Sequence, residues 1–117
     1  FDAYFSRLKA GSISYGRANV QDSDYYITND NTFVTCTNTE DRNVYLPTTP
    51  FDGLMVIINQ VNSANVAVQG NGHKIVDNED VDYINIGGAR RIAAFLYHAN
   101  LSSPDGVGAW LFTRWSR

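Results

Sequence analysis

The feature that most constrains the fold is the way short runs of β-branched and aromatic residues alternate with turn-forming residues. From Ile13 onward these runs are separated by Gly, Asn, Asp and Pro, and helical periodicity is nearly absent. Many short strands at regular spacing are typical of a sandwich or barrel. We therefore predict an all-β fold, namely a small antiparallel β-sandwich of jelly-roll-like form. The predicted strands are 12–20, 24–28, 32–37, 43–46, 54–61, 65–69, 74–76, 81–86, 91–97 and 109–115.

The N-terminal segment is the one candidate for a helix. Apolar residues recur there at i, i+3, i+4 and i+7, at Phe1, Tyr4, Phe5 and Leu8. We expect residues 1–12 to form a helical or extended neck, with a terminus that packs its aromatics on the domain as the alternative. Residues 13–117 are then a single head domain. The chain begins with Phe rather than Met, which indicates a piece of a longer protein.

The run at residues 54–58 is continuously apolar, whereas residues 65–69 alternate and place Val66 and Val68 inward. A strand that is apolar on both faces must be covered on both. It is therefore either a central sandwich strand or a strand with one face in a subunit interface. Residues 62–65 are predicted to close a hairpin between these two strands. The predicted oligomer interface consists of Phe5, Leu8, Ile13, Met55 and Ile57.

Composition narrows the class of partner. Nine basic and twelve acidic residues give a net charge of −3, which exerts no general attraction toward nucleic acid or an anionic membrane. No apolar run approaches the roughly 18 residues that a membrane-spanning helix needs. Cys36 is the one cysteine, so no intrachain disulfide can form, and we expect it to be a buried apolar residue. We therefore predict no nucleic-acid partner and no membrane insertion.

No catalytic motif stands out. His73 lies beside a turn and His98 ends a strand, positions that are usually structural or solvated. Carboxylates are plentiful, but none forms a recognisable pair of the kind that glycosidases hold about 5–10 Å apart. The acidic cluster at residues 77–82 lacks the spacing of a calcium-binding loop, so a solvated loop between strands is favoured. We predict no enzymatic activity, no cofactor and no metal.

Binding is expected in polar loops, because Gly-containing loops on a rigid scaffold commonly carry ligand contacts. Trp110 is assigned to the core, and Trp115, near the end of the chain, to an exposed or interfacial position. Arg90, Arg91 and Arg114 lie near aromatic residues. We interpret them as ordinary sheet surface, with a face for anionic sugars as the alternative. The candidate ligand-binding residues are Asn71, His73, Asp80, Asp82, Asn100, Asp105 and Trp115.

The order of strands and turns resembles a module that recurs in bacteriophage tail fibres and tail-associated proteins. In that module a strand ends in Leu-Pro, and a Gly then opens a long apolar strand that ends in Asn. A Val-x-Val strand and a Gly-x-x-Ile turn follow, and a Gly-x-Trp strand closes the domain. The residues that match are Leu46, Pro47, Gly53, Asn59, Val66, Val68, Gly72, Ile75, Gly108 and Trp110.

The resemblance covers about residues 23–113 and implies a β-sandwich head, usually a homotrimer, at or near the end of a fibre. Such a head belongs to the extracellular virion and attaches it to a host receptor, namely a surface polysaccharide, teichoic acid or an outer-membrane protein. A polysaccharide is the expected ligand. No receptor-binding residue is carried over by the resemblance. Three alternatives stay open: a non-catalytic carbohydrate-binding module of a bacterial surface or secreted protein, a trimerisation domain without a ligand, and a polysaccharide-degrading enzyme.

Overall fold

A computed structural model describes residues 16–100 and 108–116, and these residues form two β-sheets around one apolar core. The all-β prediction is confirmed. No helix in the two described ranges is long and apolar enough to cross a membrane. The strands are β1 (Arg17–Val20), β2 (Tyr25–Tyr26), β3 (Phe33–Cys36), β4 (Arg42–Tyr45), β5 (Met55–Gln60), β6 (Val66–Gln69), β7 (Ile75–Asp77), β8 (Glu79–Val81), β9 (Tyr83–Ile86), β10 (Arg91–His98) and β11 (Ala109–Ser116).

The first half of the chain changes sheet after every strand. Sheet A has the order β1-β3-β5-β10-β11-β7-β8, and sheet B has the order β2-β4-β6-β9. As a result β1, β3 and β5 pair in parallel in sheet A, and β2, β4 and β6 pair in parallel in sheet B. This is the arrangement of a two-sheeted β-solenoid with three coils. In the second half, β9 adds to β6, and β10 lies between β5 and β11, all in antiparallel pairs.

The prediction of antiparallel sheets is therefore wrong for the first half and for the β7–β11 pair, which is also parallel. A jelly-roll topology is not confirmed. Residues 62–65 do not close a hairpin, because they carry the chain from β5 in sheet A to β6 in sheet B. The acidic segment 77–82 is also not a simple loop. It contains the β7–β8 hairpin, which turns at Asn78 with a φ of 60°, a conformation that Asn tolerates better than most residues. Alternation of side chains predicts which face of a strand is buried, not which strand is its neighbour.

The core lies between the sheets and consists of every second residue along the strands. Val66 and Val68 face inward and are fully buried, as predicted, and Trp110 is also fully buried. Strand β5 lies inside sheet A, between β3 and β10. Val56 and Ile58 face the core, whereas Met55 on the opposite face is 41% exposed, so both alternatives predicted for this strand stay open. Cys36 is buried, and that burial raises the pKa of its thiol to about 12.

Buried amides hold the corner where the coils stack. The side chain of Gln60 is fully buried and donates to the carbonyl oxygen of Ala64 at 2.7 Å and to Asn38 Oδ1 at 3.3 Å. Asn38, also fully buried, donates to the carbonyl oxygen of Glu40 at 2.8 Å. Buried polar groups are costly unless they are hydrogen-bonded, so these bonds define the path of the turn.

Candidate ligand-binding face

The outer face of sheet B carries a line of mostly aromatic side chains. Cross-strand register places Tyr26 beside Tyr45, Tyr45 beside Gln69, and Gln69 beside Tyr83. These four residues, here named the tyrosine row, point away from the core because they alternate with core-facing residues. Tyr26 is 62% exposed and Tyr83 is 52% exposed. With strands about 4.8 Å apart, the row extends roughly 14 Å across the sheet.

Two members of the row are stacked on each other. The rings of Tyr26 and Tyr45 are 4.2 Å apart between centroids and inclined by 7°. Desolvation raises the pKa of the Tyr45 phenol, and the neighbouring Tyr26 and Asp24 raise it further. The hydroxyl of Tyr45 therefore remains a hydrogen-bond donor into alkaline pH.

Polar side chains beside the row are held in place by hydrogen bonds among themselves. Asp24 Oδ1 accepts from the backbone N–H of Asn43 at 2.9 Å, and Gln69 Nε2 donates to Asn43 Oδ1 at 3.2 Å. Farther along the same face, Asn65 Nδ2 donates to Asn85 Oδ1 at 3.0 Å. Because these amides and the carboxylate restrain each other, a ligand would meet polar groups that need little reordering.

A cleft of about 380 Å³, here named the first cleft, opens beside Tyr45. It brings together three of the residues predicted to bind ligand, Asn71, His73 and Asp82. The other predicted residues do not line it. The residues that line it are Tyr45, Gln69, Asn71, Gly72, His73, Lys74 and Asp82.

Hydrogen bonds fix the walls of the first cleft. Lys74 Nζ donates to Asp82 Oδ1 at 2.6 Å, so one wall carries a paired cation and anion. The two ring nitrogens of His73 each lie 3.1 Å from a carbonyl oxygen, Nδ1 from Gly108 and Nε2 from Thr48. In either neutral tautomer of His73, one ring nitrogen donates a hydrogen bond to the carbonyl oxygen that it faces. His73 thus ties the cleft to the start of β11 and to the loop after β4, which makes it a positioning residue.

A second cleft, of about 490 Å³, shares Asp82 with the first cleft and is also lined by Tyr83. Arg114 lines it, with Nη1 donating to the carbonyl oxygen of Asn85 at 3.1 Å. The guanidinium carbon of Arg114 is 5.2 Å from the centre of the Phe112 ring, within the range of a cation–π contact. The second cleft therefore combines an aromatic side chain, Tyr83, with an oriented cation.

The remaining predicted ligand-binding residues do not join this site. Asp80 lies in β8 opposite Val76 and lines neither cleft. Asn100 is exposed after the end of β10. Trp115 pairs with Ile92 through the backbone, and its side chain, like all of Asp105, lies outside the described part of the structure.

The tyrosine row is absent from the candidate ligand-binding residues that the sequence predicted, and Arg114 entered only through the alternative of a face for anionic sugars. Alternation along the strands already indicates that Tyr45 and Tyr83 point away from Val44 and Ile84. It does not indicate that their strands are two positions apart in one sheet.

The outer face of sheet A has a different character. Met55, Leu96 and Leu111 lie side by side across β5, β10 and β11, and Ile57 and Ala94 form the next row. These five residues, here named the apolar face, border a shallow depression of about 540 Å³, and Met55 is 41% exposed. Two of the predicted interface residues, Met55 and Ile57, lie here. The other three, Phe5, Leu8 and Ile13, lie outside the described residues.

Among the described residues, no group of three or more His, Cys, Asp or Glu side chains is close enough to hold a metal ion. No protein-family model matches the chain, and no curated protein sequence matches it significantly. What the chain does must therefore be argued from the chemistry of its two outer faces.

Proposed function

We propose that the chain is a non-catalytic glycan-binding head, the distal part of a bacteriophage tail fibre, which attaches the virion to a polysaccharide on its host. The observation that carries the proposal is the tyrosine row on the open face of sheet B. A sugar ring has an apolar face of C–H groups and a rim of hydroxyls. It is matched by a flat aromatic ring with hydrogen-bonding groups beside it. Tyr45, Gln69 and Asn43 present that combination.

The sizes of the two clefts also support a saccharide ligand. Their volumes, about 380 and 490 Å³, fall within the roughly 300–1,000 Å³ of small-molecule sites. They are adjacent and share Asp82. A polymer with one unit in each cleft fits this arrangement better than a single compact ligand.

The carboxylates favour binding over hydrolysis. Asp82 is the one carboxylate among the described residues that line either cleft, and it is paired with Lys74. Glycosidases use two carboxylates on opposite sides of the scissile bond. This supports a head that holds its glycan without cleaving it.

The proposed head is a homotrimer whose subunits meet through the apolar face. In a monomer Met55, Leu96 and Leu111 would form a contiguous apolar patch in water, a property that marks interaction surfaces. The resemblance to tail-fibre modules implies a copy of the same chain as the partner. Because the apolar face and the tyrosine row are on opposite sides of the two-sheet body, subunit contact would leave the glycan face open.

A carbohydrate-binding module of a bacterial surface or secreted protein is the second candidate. The row of exposed tyrosines, with Tyr26 62% and Tyr83 52% exposed, suits it equally well. Solution mass separates the two candidates. Three times the 13.0 kDa monomer supports the fibre head, and a monomer supports the module.

Binding of the purified chain to a panel of bacterial surface polysaccharides tests the proposed function. We expect Tyr45→Ala to weaken binding about tenfold or more, the size of a central aromatic contact. Phe51→Ala is the matched control, because Phe51 is also an exposed aromatic residue, at 58%, and lines neither cleft.

Circular dichroism would show that both variants remain folded. If Tyr45→Ala and the unsubstituted chain bind the glycan with equal affinity, the tyrosine row is not part of the binding site. Failure of the unsubstituted chain to bind any polysaccharide would contradict glycan binding altogether.

A further inference from the structure

We propose that the glycan carries a carboxylate and that the guanidinium of Arg114 binds this carboxylate in the second cleft. The inference rests on the proposed function, because it assigns a chemical class to the ligand of the two adjacent clefts. It separates the two clefts into one for a neutral sugar and one for an acidic sugar.

The two cations that line the clefts differ in their partners. Lys74 in the first cleft is paired with Asp82 at 2.6 Å, so its charge is balanced within the protein. Arg114 in the second cleft forms no ion pair with any described carboxylate, and it donates a hydrogen bond to the backbone oxygen of Asn85. An acidic group arriving in the second cleft would meet a cation that no described carboxylate neutralises.

The guanidinium of Arg114 is also oriented before a ligand arrives. One N–H is directed to the Asn85 carbonyl, and the Phe112 ring lies 5.2 Å from the guanidinium carbon. A guanidinium has five N–H donors in a planar fork, and the fork matches the two oxygens of a carboxylate. A planar donor that two contacts already position loses less entropy on binding than a freely rotating side chain.

The arrangement of aromatic residues sets the order of the sugars. Tyr45 borders the first cleft and Tyr83 borders the second, and their strands are two positions apart, about 10 Å across the sheet. A neutral sugar against Tyr45 and a sugar with a carboxylate beside Tyr83 and Arg114 would then lie near each other in one chain. We infer a polysaccharide with a uronic-acid type of sugar close to a neutral sugar.

The test compares uronate-containing bacterial polysaccharides with the same polysaccharides after chemical reduction of their carboxyl groups. Binding is measured for the unsubstituted chain and for Arg114→Gln. Arg17→Gln is the matched control, because the Arg17 guanidinium also lies over an aromatic ring, 5.9 Å from the centre of Phe33. Arg17 is in the edge strand β1, four strands away from β11 in sheet A, and lines neither cleft.

We expect Arg114→Gln to weaken binding of the native polysaccharide about tenfold or more. Reduction of the carboxyl groups should weaken binding by the unsubstituted chain by a similar factor and leave Arg114→Gln little changed. Arg17→Gln should bind like the unsubstituted chain. Arg114→Lys keeps the charge but lacks the planar fork, and we expect intermediate affinity.

Equal binding of native and reduced polysaccharides would overturn the carboxylate inference while leaving glycan binding intact. So would full affinity in Arg114→Gln. If the unsubstituted chain binds neither form of any polysaccharide, both the inference and the proposed function fail. These results are distinguishable in one set of measurements.

Discussion

The outer faces of the two sheets are built in the same way, by every second residue of each strand, yet they present different chemistry. On sheet A the outward residues Met55, Ile57 and Leu96 are apolar, and on sheet B the outward residues Tyr45 and Gln69 are aromatic and polar. The inward positions of both sheets are similar, dominated by Val and Ile. The two outer faces therefore differ in chemistry while the core between them is uniform, and each outer face can serve a separate role.

The largest expected effect is on subunit association. We predict that Ile57→Asp lowers the solution mass about threefold, from trimer to monomer, because a charge in the apolar face would have to be buried between subunits. Light scattering measures this directly. Asn85→Asp introduces the same charge on the exposed face of sheet B and should leave the mass unchanged. A trimer that persists in Ile57→Asp would show that the apolar face is not the contact.

The second-largest expected effect is on the free energy of unfolding. It should differ between an inward and an outward position of one strand. Ile84 and Tyr83 are neighbours on β9, but Ile84 is buried and Tyr83 is 52% exposed. We expect Ile84→Ala to lower the free energy of unfolding by about 2–5 kcal/mol, and Tyr83→Ala to change it by about 0.5 kcal/mol or less. Urea denaturation measures both. A large loss of stability in Tyr83→Ala would mean that the tyrosine row serves the fold rather than a ligand.

The buried thiol predicts a pH dependence that belongs to the core and to neither outer face. The pKa of Cys36 is raised from 9.0 to about 12 in the folded chain. Above pH 9 the unfolded thiol therefore loses its proton while the folded thiol keeps it. Its contribution to stability is complete below pH 9 and falls by about 1.4 kcal/mol per pH unit between pH 9 and 12.

Cys36→Ala should abolish this part of the pH dependence. The measurement is urea denaturation of both proteins at pH 8, 9 and 10. For each protein the slope of the unfolding free energy against pH is obtained. The difference between the two slopes gives the contribution of the Cys36 thiol, because tyrosines and lysines titrate equally in both proteins. Parallel stability curves for the two proteins would contradict the burial of Cys36.

The smallest expected effect is on glycan affinity. It shows whether the ring or the hydroxyl of Tyr45 contributes to binding. Tyr45→Phe keeps the ring that stacks on Tyr26 and removes the hydroxyl. If contact with the ring dominates, glycan affinity should fall by about threefold or less, compared with about tenfold for Tyr45→Ala. Titration calorimetry with the same polysaccharide measures both. Equal losses in the two variants would assign the binding energy to the hydroxyl instead of the ring.

Several features of the fold could be predicted from the sequence because they depend on local alternation. The burial of Val66, Val68 and Trp110 is of this kind. In the candidate site, Asn71, His73 and Asp82 were identified because polar residues in loops between strands tend to lie at a binding surface.

Strand pairing was decided by the tertiary structure. Residue 17 pairs with residue 33 and residue 33 with residue 57, so successive coils differ in length and leave no regular repeat in the sequence. The tyrosine row likewise joins residues 26, 45, 69 and 83, from four strands far apart in the chain.

The physical reason lies in what each kind of interaction depends on. Burial of a side chain follows from its own chemistry and from its position along the strand, so the inward residues can be identified from the order of residues alone. The hydrogen bonds that pair strands join backbone groups that nearly every residue possesses. Which strands meet, and therefore which outward side chains form a common surface, depends on the path of the connecting loops through space.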